Sequence, residues 1–242
     1  GTPRRVLLVD LRNHGGSPHS GEMSFSDMAS DVAFLLEEQG IRRAVLCGHS
    51  IGGKVAMATA LLYPSLVERL MVLDMAPVSY EPEEPQWDSI LSVVKAMRTV
   101  RLDSISSKRD ADAMLSRTVS DPGLRAFVLM NLVRTQDGRF RWRVNLDAIE
   151  RSLPQLGAWD VEGPEGCSVT GDSDDTACYN GFTLFVGGGK SRFLRSSHLA
   201  EIEKQFSKFS LSTIRSASHW IHADEPEALM TIASNFLSVK QP

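Results

Sequence analysis

The first 75 residues alternate continuous apolar runs with amphipathic segments. The apolar runs, each bounded by polar residues, are Arg5–Asp10, Arg43–Cys47 and Val67–Asp74. Runs of this kind are typical of strands that are buried on both faces of a sheet. Between them, Ser24–Gln39 places apolar residues at helical spacing, and Lys54–Leu62 is also compatible with a helix. This order predicts a parallel sheet whose strands are connected by right-handed helical crossovers.

The middle of the chain departs from this alternation between Pro77 and Gly157. Its patterns predict helices near Pro85–Thr99, Ile105–Val119, Asp121–Arg134 and Leu146–Leu153, with a short hairpin arm at Gly138–Val144. Helices inserted after the end of a strand commonly build a cap over an active site, so we predict a helical cap insertion over residues 77–157. Residues 158–181 are rich in Gly, Ser and Asp without periodicity, which predicts a flexible polar loop.

From Phe182 to the end of the chain, predicted strands and helices alternate again. Phe182–Val186 and Ser210–Arg215 are predicted strands, and Ser197–Phe206 and Pro226–Leu237 are predicted helices. We therefore expect a single α/β domain over residues 1–242, with five strands in a mainly parallel sheet and helices on both faces.

The composition excludes several classes of protein. A net charge of −4 and the absence of long basic runs argue against a nucleic-acid partner. No apolar stretch approaches the roughly 18 residues of a membrane helix, and no targeting peptide is visible. Three cysteines, an odd number, suggest a reducing compartment. Cys167 and Cys178 lack further ligands nearby in sequence, so we expect no metal site.

One motif carries a specific chemical prediction. Gly48-His49-Ser50-Ile51-Gly52 follows a predicted strand and precedes a predicted helix. The pattern G-x-S-x-G in this setting is typical of the nucleophile elbow, a sharp turn that exposes a serine hydroxyl at the carboxyl end of a strand. We therefore predict that Ser50 is a nucleophile. The backbone N–H of Ile51 would then face the oxyanion that forms on the substrate.

A serine nucleophile needs a general base, and six histidines are available. His219 follows the last predicted strand, at the sheet edge where open α/β sheets place their chemistry. The chain order, with Ser early and His last, also favours His219 as the base. His49 adjoins the serine but is expected to point away from its hydroxyl, and His222 is expected to be structural.

The acid that orients the base has two candidates. The usual place, after the strand that precedes the base, is occupied by Gly187–Ser191, which contains no carboxylate. Asp74 ends the strand after the elbow helix, so it is expected at the same sheet edge as Ser50. Asp147 begins a predicted helix, where capping is its alternative role. Strand geometry favours Asp74, with Asp147 left open.

Several segments together resemble one known family. They are DLRNHGGSPHS, GHSIGGKVAM, LDMAPV, GRFRWRVNLDAI and SHWIHADEP, in this order. They are similar to the family that includes the eukaryotic α/β-hydrolase domain-containing protein eleven and related bacterial esterases. The resemblance implies the α/β-hydrolase fold and a serine hydrolase acting on esters and acylglycerols without metal or cofactor. It places the nucleophile on Ser50 and the base on His219, and it supports either Asp74 or Asp147 as the acid.

The same resemblance implies a cellular context for the eukaryotic members. It suggests the mitochondrial matrix as location and the 2-oxoglutarate dehydrogenase complex as a partner.

The chain departs from the family pattern in three places. Gly1–Arg4 leads directly into a strand that family members precede with others, including one whose loop supplies a second oxyanion donor. Ser218 stands before the base where Gly is usual, and the polar insertion Ala158–Tyr179 is longer than expected.

The sequence thus favours a serine esterase or acylglycerol lipase that works through an acyl-enzyme. Residues expected to line its substrate pocket are His49, Met97, Phe127, Met130 and Trp220. The alternative is a catalytically impaired, hydrolase-like interaction protein that supports a mitochondrial 2-oxoacid dehydrogenase complex, because the second oxyanion donor is expected to be missing.

Overall fold

The computed structural model describes residues 4–161 and 179–238. Its α-helices are α1 (Phe25–Glu38), α2 (Ile51–Leu62), α3 (Pro85–Thr99), α4 (Lys108–Leu115), α5 (Pro122–Leu129), α6 (Leu146–Gly157), α7 (Leu199–Gln205), α8 (Ile221–Asp224) and α9 (Pro226–Ser238). Its strands are β1 (Ala44–His49), β2 (Val67–Leu73), β3 (Leu132–Arg134), β4 (Phe140–Trp142), β5 (Phe182–Gly188) and β6 (Phe209–Ile214). The described residues divide into two compact units: residues 4–7, 25–79, 159–161 and 179–238 form the first, and residues 8–24 and 80–158 form the second.

A four-stranded parallel sheet organises the first unit. Its strand order is β1-β2-β5-β6, and all of its neighbours pair in parallel. All of β2 except Glu68 is buried, as its apolar sequence predicts for a central strand. The core on one side of the sheet consists of Met71, Leu73, Leu184, Val186, Ile214, Ala217, Ile221 and Leu229. Because all four strands run in the same direction, the loops after their carboxyl ends meet at one edge of the sheet.

Helix α2 packs tightly against this sheet. Every residue from Gly53 to Leu61 in it is buried, and many of these side chains are small. Helix α1 packs against α2 and buries Phe25, Met28, Ala29 and Leu36. A helix that is apolar on nearly all sides belongs in an interior, which explains why α2 leaves so little of its surface to solvent.

The predicted first strand is wrong. Arg5–Asp10 forms no strand, and the residues Val6 and Leu8 are 74% and 96% exposed. A strand requires a hydrogen-bonded neighbour, and among the described residues β1 pairs with β2 alone. The end of this run is instead fixed locally, because Asp10 accepts hydrogen bonds from the N–H of Gly16 (2.8 Å) and the hydroxyl of Ser17 (2.6 Å). The sheet therefore has four strands among the described residues rather than the predicted five.

The second unit contains helices α3 to α6 and a two-stranded hairpin. The predicted helix Asp121–Arg134 is too long, because α5 ends at Leu129 and Leu132–Arg134 pairs antiparallel with Phe140–Trp142. In β3 the backbone N–H and C=O groups form hydrogen bonds with β4, whereas in a longer helix they would bond within the helix. Apolar spacing alone does not distinguish these two structures over so short a segment. The asparagines Asn13 and Asn145 connect the N-terminal loop to the start of α6 through main-chain and side-chain hydrogen bonds.

One predicted segment is described only in part, and the role of another is not tested. Most of the predicted flexible loop 158–181, including Cys167 and Cys178, lies outside the described residues. The role of residues 77–157 as a cap stays a prediction. Within 4–161 and 179–238, no helix combines the length and apolarity needed to cross a membrane.

Candidate active site

Ser50 occupies a strained turn between β1 and α2. Its φ of 55° and ψ of −124° lie in a region that L-residues rarely adopt. A Cβ atom at Gly48 would lie 2.0 Å from the carbonyl oxygen of Gly52, whereas a Cβ at Gly52 would meet nothing within 4 Å. The close approach of strand and helix therefore requires glycine at position 48, and the turn leaves the Ser50 hydroxyl at the sheet edge.

Three side chains of the first unit form a continuous hydrogen-bonded chain. Nε2 of His219 lies 3.0 Å from Oγ of Ser50, and Nδ1 of His219 lies 2.7 Å from Oδ2 of Asp74. An ionised carboxylate only accepts hydrogen bonds, so Nδ1 carries the proton and Nε2 is left with its lone pair toward the serine hydroxyl. The arrangement is chemically suited to remove a proton from Ser50.

Asp74 is held rigidly for this contact. Its side chain is fully buried, and its backbone has a positive φ of 51°. Its second oxygen, Oδ1, accepts a 2.9 Å hydrogen bond from the N–H of Gly188. Its own N–H donates to the carbonyl oxygen of Val186 at 2.7 Å. Each carboxylate oxygen therefore has a donor, which fixes the orientation of the carboxylate toward His219.

Gly188 is a residue of the site that the sequence did not assign. A Cβ atom there would lie 2.1 Å from the carbonyl oxygen of Ser218, the residue before His219. Glycine therefore lets the loop that carries His219 pass directly over the end of β5, while its N–H holds Asp74. The triple glycine at Gly187–Gly189 is the available signal in the sequence, because glycine after a strand often marks a close approach of another backbone segment.

The loop that carries His219 is stabilised by its own hydrogen bonds. Oδ2 of Asp224 accepts from the N–H of Ser218 (2.7 Å) and from its hydroxyl (2.5 Å). The Ser218 hydroxyl oxygen also accepts from the N–H of Trp220 at 3.2 Å. These hydrogen bonds lower the pKa of Asp224, with the Ser218 hydroxyl as the largest cause. Ser218, which departs from the family pattern, thus has a role in fixing the loop on either side of His219.

Aromatic rings surround the imidazole of His219. Phe193 lies 4.3 Å from it and His49 lies 4.6 Å from it, measured between ring centroids, and Trp220 lies at 5.7 Å. Nε2 of His49 also lies 2.7 Å from the main-chain oxygen of His219. Burial, followed by the proximity of His219, lowers the pKa of His49 to about 4. Phe193 had no signal in the sequence that linked it to this site.

Lys54 is a buried cation one helical turn beyond Ser50. Its side chain is fully buried, and Nζ lies 5.3 Å from the ring centroid of Phe25 and 5.9 Å from that of Trp159. Burial lowers the pKa of Lys54 to about 7, although the nearby carboxylate of Asp160 raises it in part. Lys54 therefore titrates close to neutral pH inside the first unit.

The alternative acid and the remaining predicted pocket residues lie in the second unit. Asp147 is in the first turn of α6, whose N-cap is Asn145, and its carboxylate pairs with Arg98 at 2.5 Å on the surface. The side chain of Met97 is buried, whereas Phe127 and Met130 are exposed. Their assignment to a substrate pocket stays a prediction, as do the catalytic roles of the triad residues. Within the described part of the chain, no group of His, Cys, Asp and Glu side chains could hold a metal ion.

Comparison with known proteins gives consistent matches. Residues 1–231 match the model of a family described as the alpha/beta hydrolase family. The chain is 38% identical over 241 residues to the sn-1-specific diacylglycerol lipase ABHD11 of Mus musculus, covering 98% of this chain and 73% of that protein. It is 28% identical over 233 residues to Esterase YbfF of Escherichia coli (strain K12), covering 96% and 82%. Among solved structures, a marine microorganism esterase superposes with a TM-score of 0.84 at 30% identity, covering 94% of this chain and 82% of that one.

Proposed function

The chain belongs to the alpha/beta hydrolase family and is a carboxylic ester hydrolase, and from that premise we propose that Ser50, His219 and Asp74 are its catalytic triad. The observation that carries this proposal is the unbroken hydrogen-bonded chain from Oγ of Ser50 through the imidazole of His219 to the buried carboxylate of Asp74. In this arrangement the carboxylate fixes the tautomer of the imidazole and stabilises the imidazolium that forms during reaction.

Acylation begins with attack of Ser50 Oγ on the ester carbonyl carbon. Nε2 of His219 takes the hydroxyl proton as the bond forms, and the carbonyl oxygen becomes an oxyanion. Ile51 opens α2, so its N–H is among those that a helix leaves without an internal acceptor, and it lies at the positive end of the helix dipole. In the proposed mechanism this N–H stabilises the oxyanion.

Collapse of the tetrahedral intermediate releases the alcohol. The imidazolium of His219 donates its proton to the leaving alkoxide, and the acyl group stays on Ser50. A water molecule then attacks the acyl carbonyl and transfers its proton to His219. The second intermediate breaks down as His219 returns this proton to Oγ of Ser50, which releases the carboxylic acid and restores the serine hydroxyl.

We propose acylglycerols or other lipid esters as substrates. Vertebrate relatives that are 36–38% identical are named as sn-1-specific diacylglycerol lipases. Within the first unit, the aromatic side chains of the predicted pocket residues His49 and Trp220 lie beside His219, where they would contact the acyl chain of a lipid ester. Comparing kcat/KM for a diacylglycerol in micelles with that for p-nitrophenyl acetate tests this class. A clear preference for the short, water-soluble ester would contradict it.

The location in the mitochondrial matrix and the association with a 2-oxoglutarate dehydrogenase complex also remain proposals. They are supported by the family resemblance alone. Co-purification of the complex with tagged chain from mitochondria, compared with a Ser50→Ala form, would test the association separately from catalysis. Absence of the complex from both preparations would argue against the partner and leave the hydrolase untouched.

Active-site labelling tests the proposed nucleophile. A fluorophosphonate probe transfers its phosphonyl group to an activated serine, so we expect labelling of the wild-type chain and of Ser104→Ala, and none of Ser50→Ala. Ser104 is a suitable control because its hydroxyl only donates to a nearby carbonyl oxygen, that of Arg101, in an exposed loop. A folded wild-type chain that resists the probe would overturn the proposed function.

A further inference from the structure

His49 makes contacts with His219 that the proposed triad does not use. Its Nε2 lies 2.7 Å from the main-chain oxygen of His219, and the two rings are 4.6 Å apart at an angle of 40°. A carbonyl oxygen accepts hydrogen bonds and never donates, so Nε2 of His49 carries the proton. The side chain of His49 is therefore a hydrogen-bond donor to the backbone of the residue proposed as the base.

Two adjacent residues at the end of β1 thus hold the same histidine at two points. Ser50 contacts the ring of His219 through its hydroxyl at 3.0 Å, and His49 binds the carbonyl group of His219. A side chain that is held only at its ring can still reach that position from more than one backbone placement. The second contact fixes the backbone from which the imidazole extends. Because its donor is the residue directly before Ser50, it also fixes the position of that backbone relative to the proposed nucleophile.

The charge of His49 suits this role. In the proposed reaction His219 becomes an imidazolium, and a second cation 4.6 Å away would oppose that step. Burial and the proximity of His219 lower the pKa of His49 to about 4, so its ring is neutral at pH 7. A neutral imidazole can donate one hydrogen bond without placing a charge beside the base. Lysine or arginine at position 49 would supply a donor together with an unfavourable charge.

We infer that His49 is a positioning residue, whose Nε2–H holds the carbonyl of His219 and whose ring packs against the imidazole, so that the base meets Ser50 in the correct orientation. The catalytic part of this role rests on the proposed function of His219. The role differs from the predicted one, in which His49 lines the substrate pocket. A positioning residue acts on turnover, whereas a pocket residue acts on substrate binding.

Three substitutions of His49 distinguish the contribution of its hydrogen bond from the contribution of its ring packing. His49→Gln keeps an amide N–H near the position of Nε2, His49→Asn has an amide too short to reach the carbonyl, and His49→Phe keeps a ring without a donor. His19→Phe is a matched control, since it removes an imidazole whose Nε2 lies 3.3 Å from the main-chain oxygen of Arg143 in the second unit. Each variant is compared by thermal unfolding before kinetics are measured.

We expect kcat for p-nitrophenyl acetate to fall about 10–100-fold in His49→Asn and His49→Phe, with KM changed less than about threefold, because a small displacement of the base slows proton transfer. His49→Gln should recover most of the lost turnover, and His19→Phe should match the wild-type chain. Wild-type kcat in folded His49→Asn would overturn the inference. An equal loss in folded His49→Gln and His49→Asn would overturn the assignment of the hydrogen bond.

A second measurement does not depend on activity. The Nδ1 proton of His219, bonded to the carboxylate of Asp74, should give a downfield imidazole resonance in the ¹⁵N-labelled chain. This resonance should persist in His49→Gln and shift or broaden in His49→Asn. An unchanged resonance in His49→Asn would refute the positioning role, whether or not the wild-type chain hydrolyses esters. A wild-type chain that is inactive toward esters would refute only the proposed function.

Discussion

Ser50 and Asp74 occupy equivalent positions on neighbouring strands. His49 pairs with Leu73 at the last step of the β1–β2 ladder, so each of the two residues comes directly after the paired ends. Both have a positive φ, 55° and 51°, which turns their backbones out of the strand direction. One imidazole, that of His219, therefore contacts both side chains, although the three residues are far apart in sequence.

This geometry predicts different effects for two aspartate substitutions. Asp74→Asn keeps the size of the side chain but replaces the carboxylate oxygen at Nδ1 of His219 by an amide, so the favoured tautomer changes. We expect ester turnover to fall about 10³–10⁴-fold, as is typical when the acid of such a triad is lost. Asp147→Asn breaks only an exposed pair with Arg98 and should leave turnover within about twofold.

Initial rates with p-nitrophenyl acetate for the two purified variants check this prediction. Equal folding is verified by circular dichroism and thermal unfolding. If Asp147→Asn lost more activity than Asp74→Asn, the assignment of the acid would have to be reversed.

Gly188 provides a prediction about backbone packing. In Gly188→Ala the new methyl group would lie 2.1 Å from the carbonyl oxygen of Ser218, so the loop before His219 must move. We expect a loss of stability of about 1–3 kcal/mol from overpacking and a fall in kcat of about 10²-fold from displacement of the base. Gly21→Ala, where a Cβ meets nothing within 4 Å, is the control for both measurements. A Gly188→Ala variant with wild-type turnover would show that the loop adapts without moving His219.

Lys54 gives the stability of the protein a pH dependence. Its pKa is about 7 in the folded chain and near 10.5 when exposed, so between these values the unfolded state binds more protons. The free energy of unfolding should therefore rise with pH over this window, and the cost of the buried ammonium should be complete below pH 7. Lys54→Met should exceed the wild-type chain in stability at pH 6 by about 2–5 kcal/mol, with the difference shrinking toward pH 10.

Urea unfolding at pH 6, 8 and 10 measures this difference. Lys204→Met serves as the control, because Lys204 forms a surface pair with Glu201 and its removal should leave a pH profile parallel to that of the wild-type chain. Parallel profiles for Lys54→Met and the wild-type chain would contradict the prediction.

The predictable part of the fold comes from periodicity and from chain order. The ranges expected for α1, α2, β2, α3, β5, β6 and α9 agree with the structure to within a few residues because each combines a clear apolar pattern with a defined stop. The run Arg5–Asp10 has an equally clear strand pattern and forms no strand, since a strand depends on a neighbour that its own residues do not specify. For residues 132–134 the local pattern likewise predicts a helix, because it does not include their hydrogen-bonded partner, β4.

The candidate site was predictable where parallel topology alone determines position. Ser50, Asp74 and His219 each follow a strand of the same sheet, and the structure brings them together, while their catalytic roles stay predictions. The contacts of Gly188, Phe193 and His49 with these residues depend on the path of loops. Such paths are set by packing between segments distant in sequence, so a local motif such as the triple glycine indicates a close approach without identifying the segment that approaches.

The strained backbone of Ser50 also bears on how stability and activity compete in this chain. A residue with φ of 55° and ψ of −124° costs of order 1–3 kcal/mol, and the surrounding fold must supply that energy. Ser50→Gly would relieve the strain, whereas Ser50→Ala would not, so the glycine form should melt at a higher temperature than the alanine form. Thermal stability alone would thus favour glycine at position 50, so the serine hydroxyl is kept at an energetic cost that its proposed role as the nucleophile would explain.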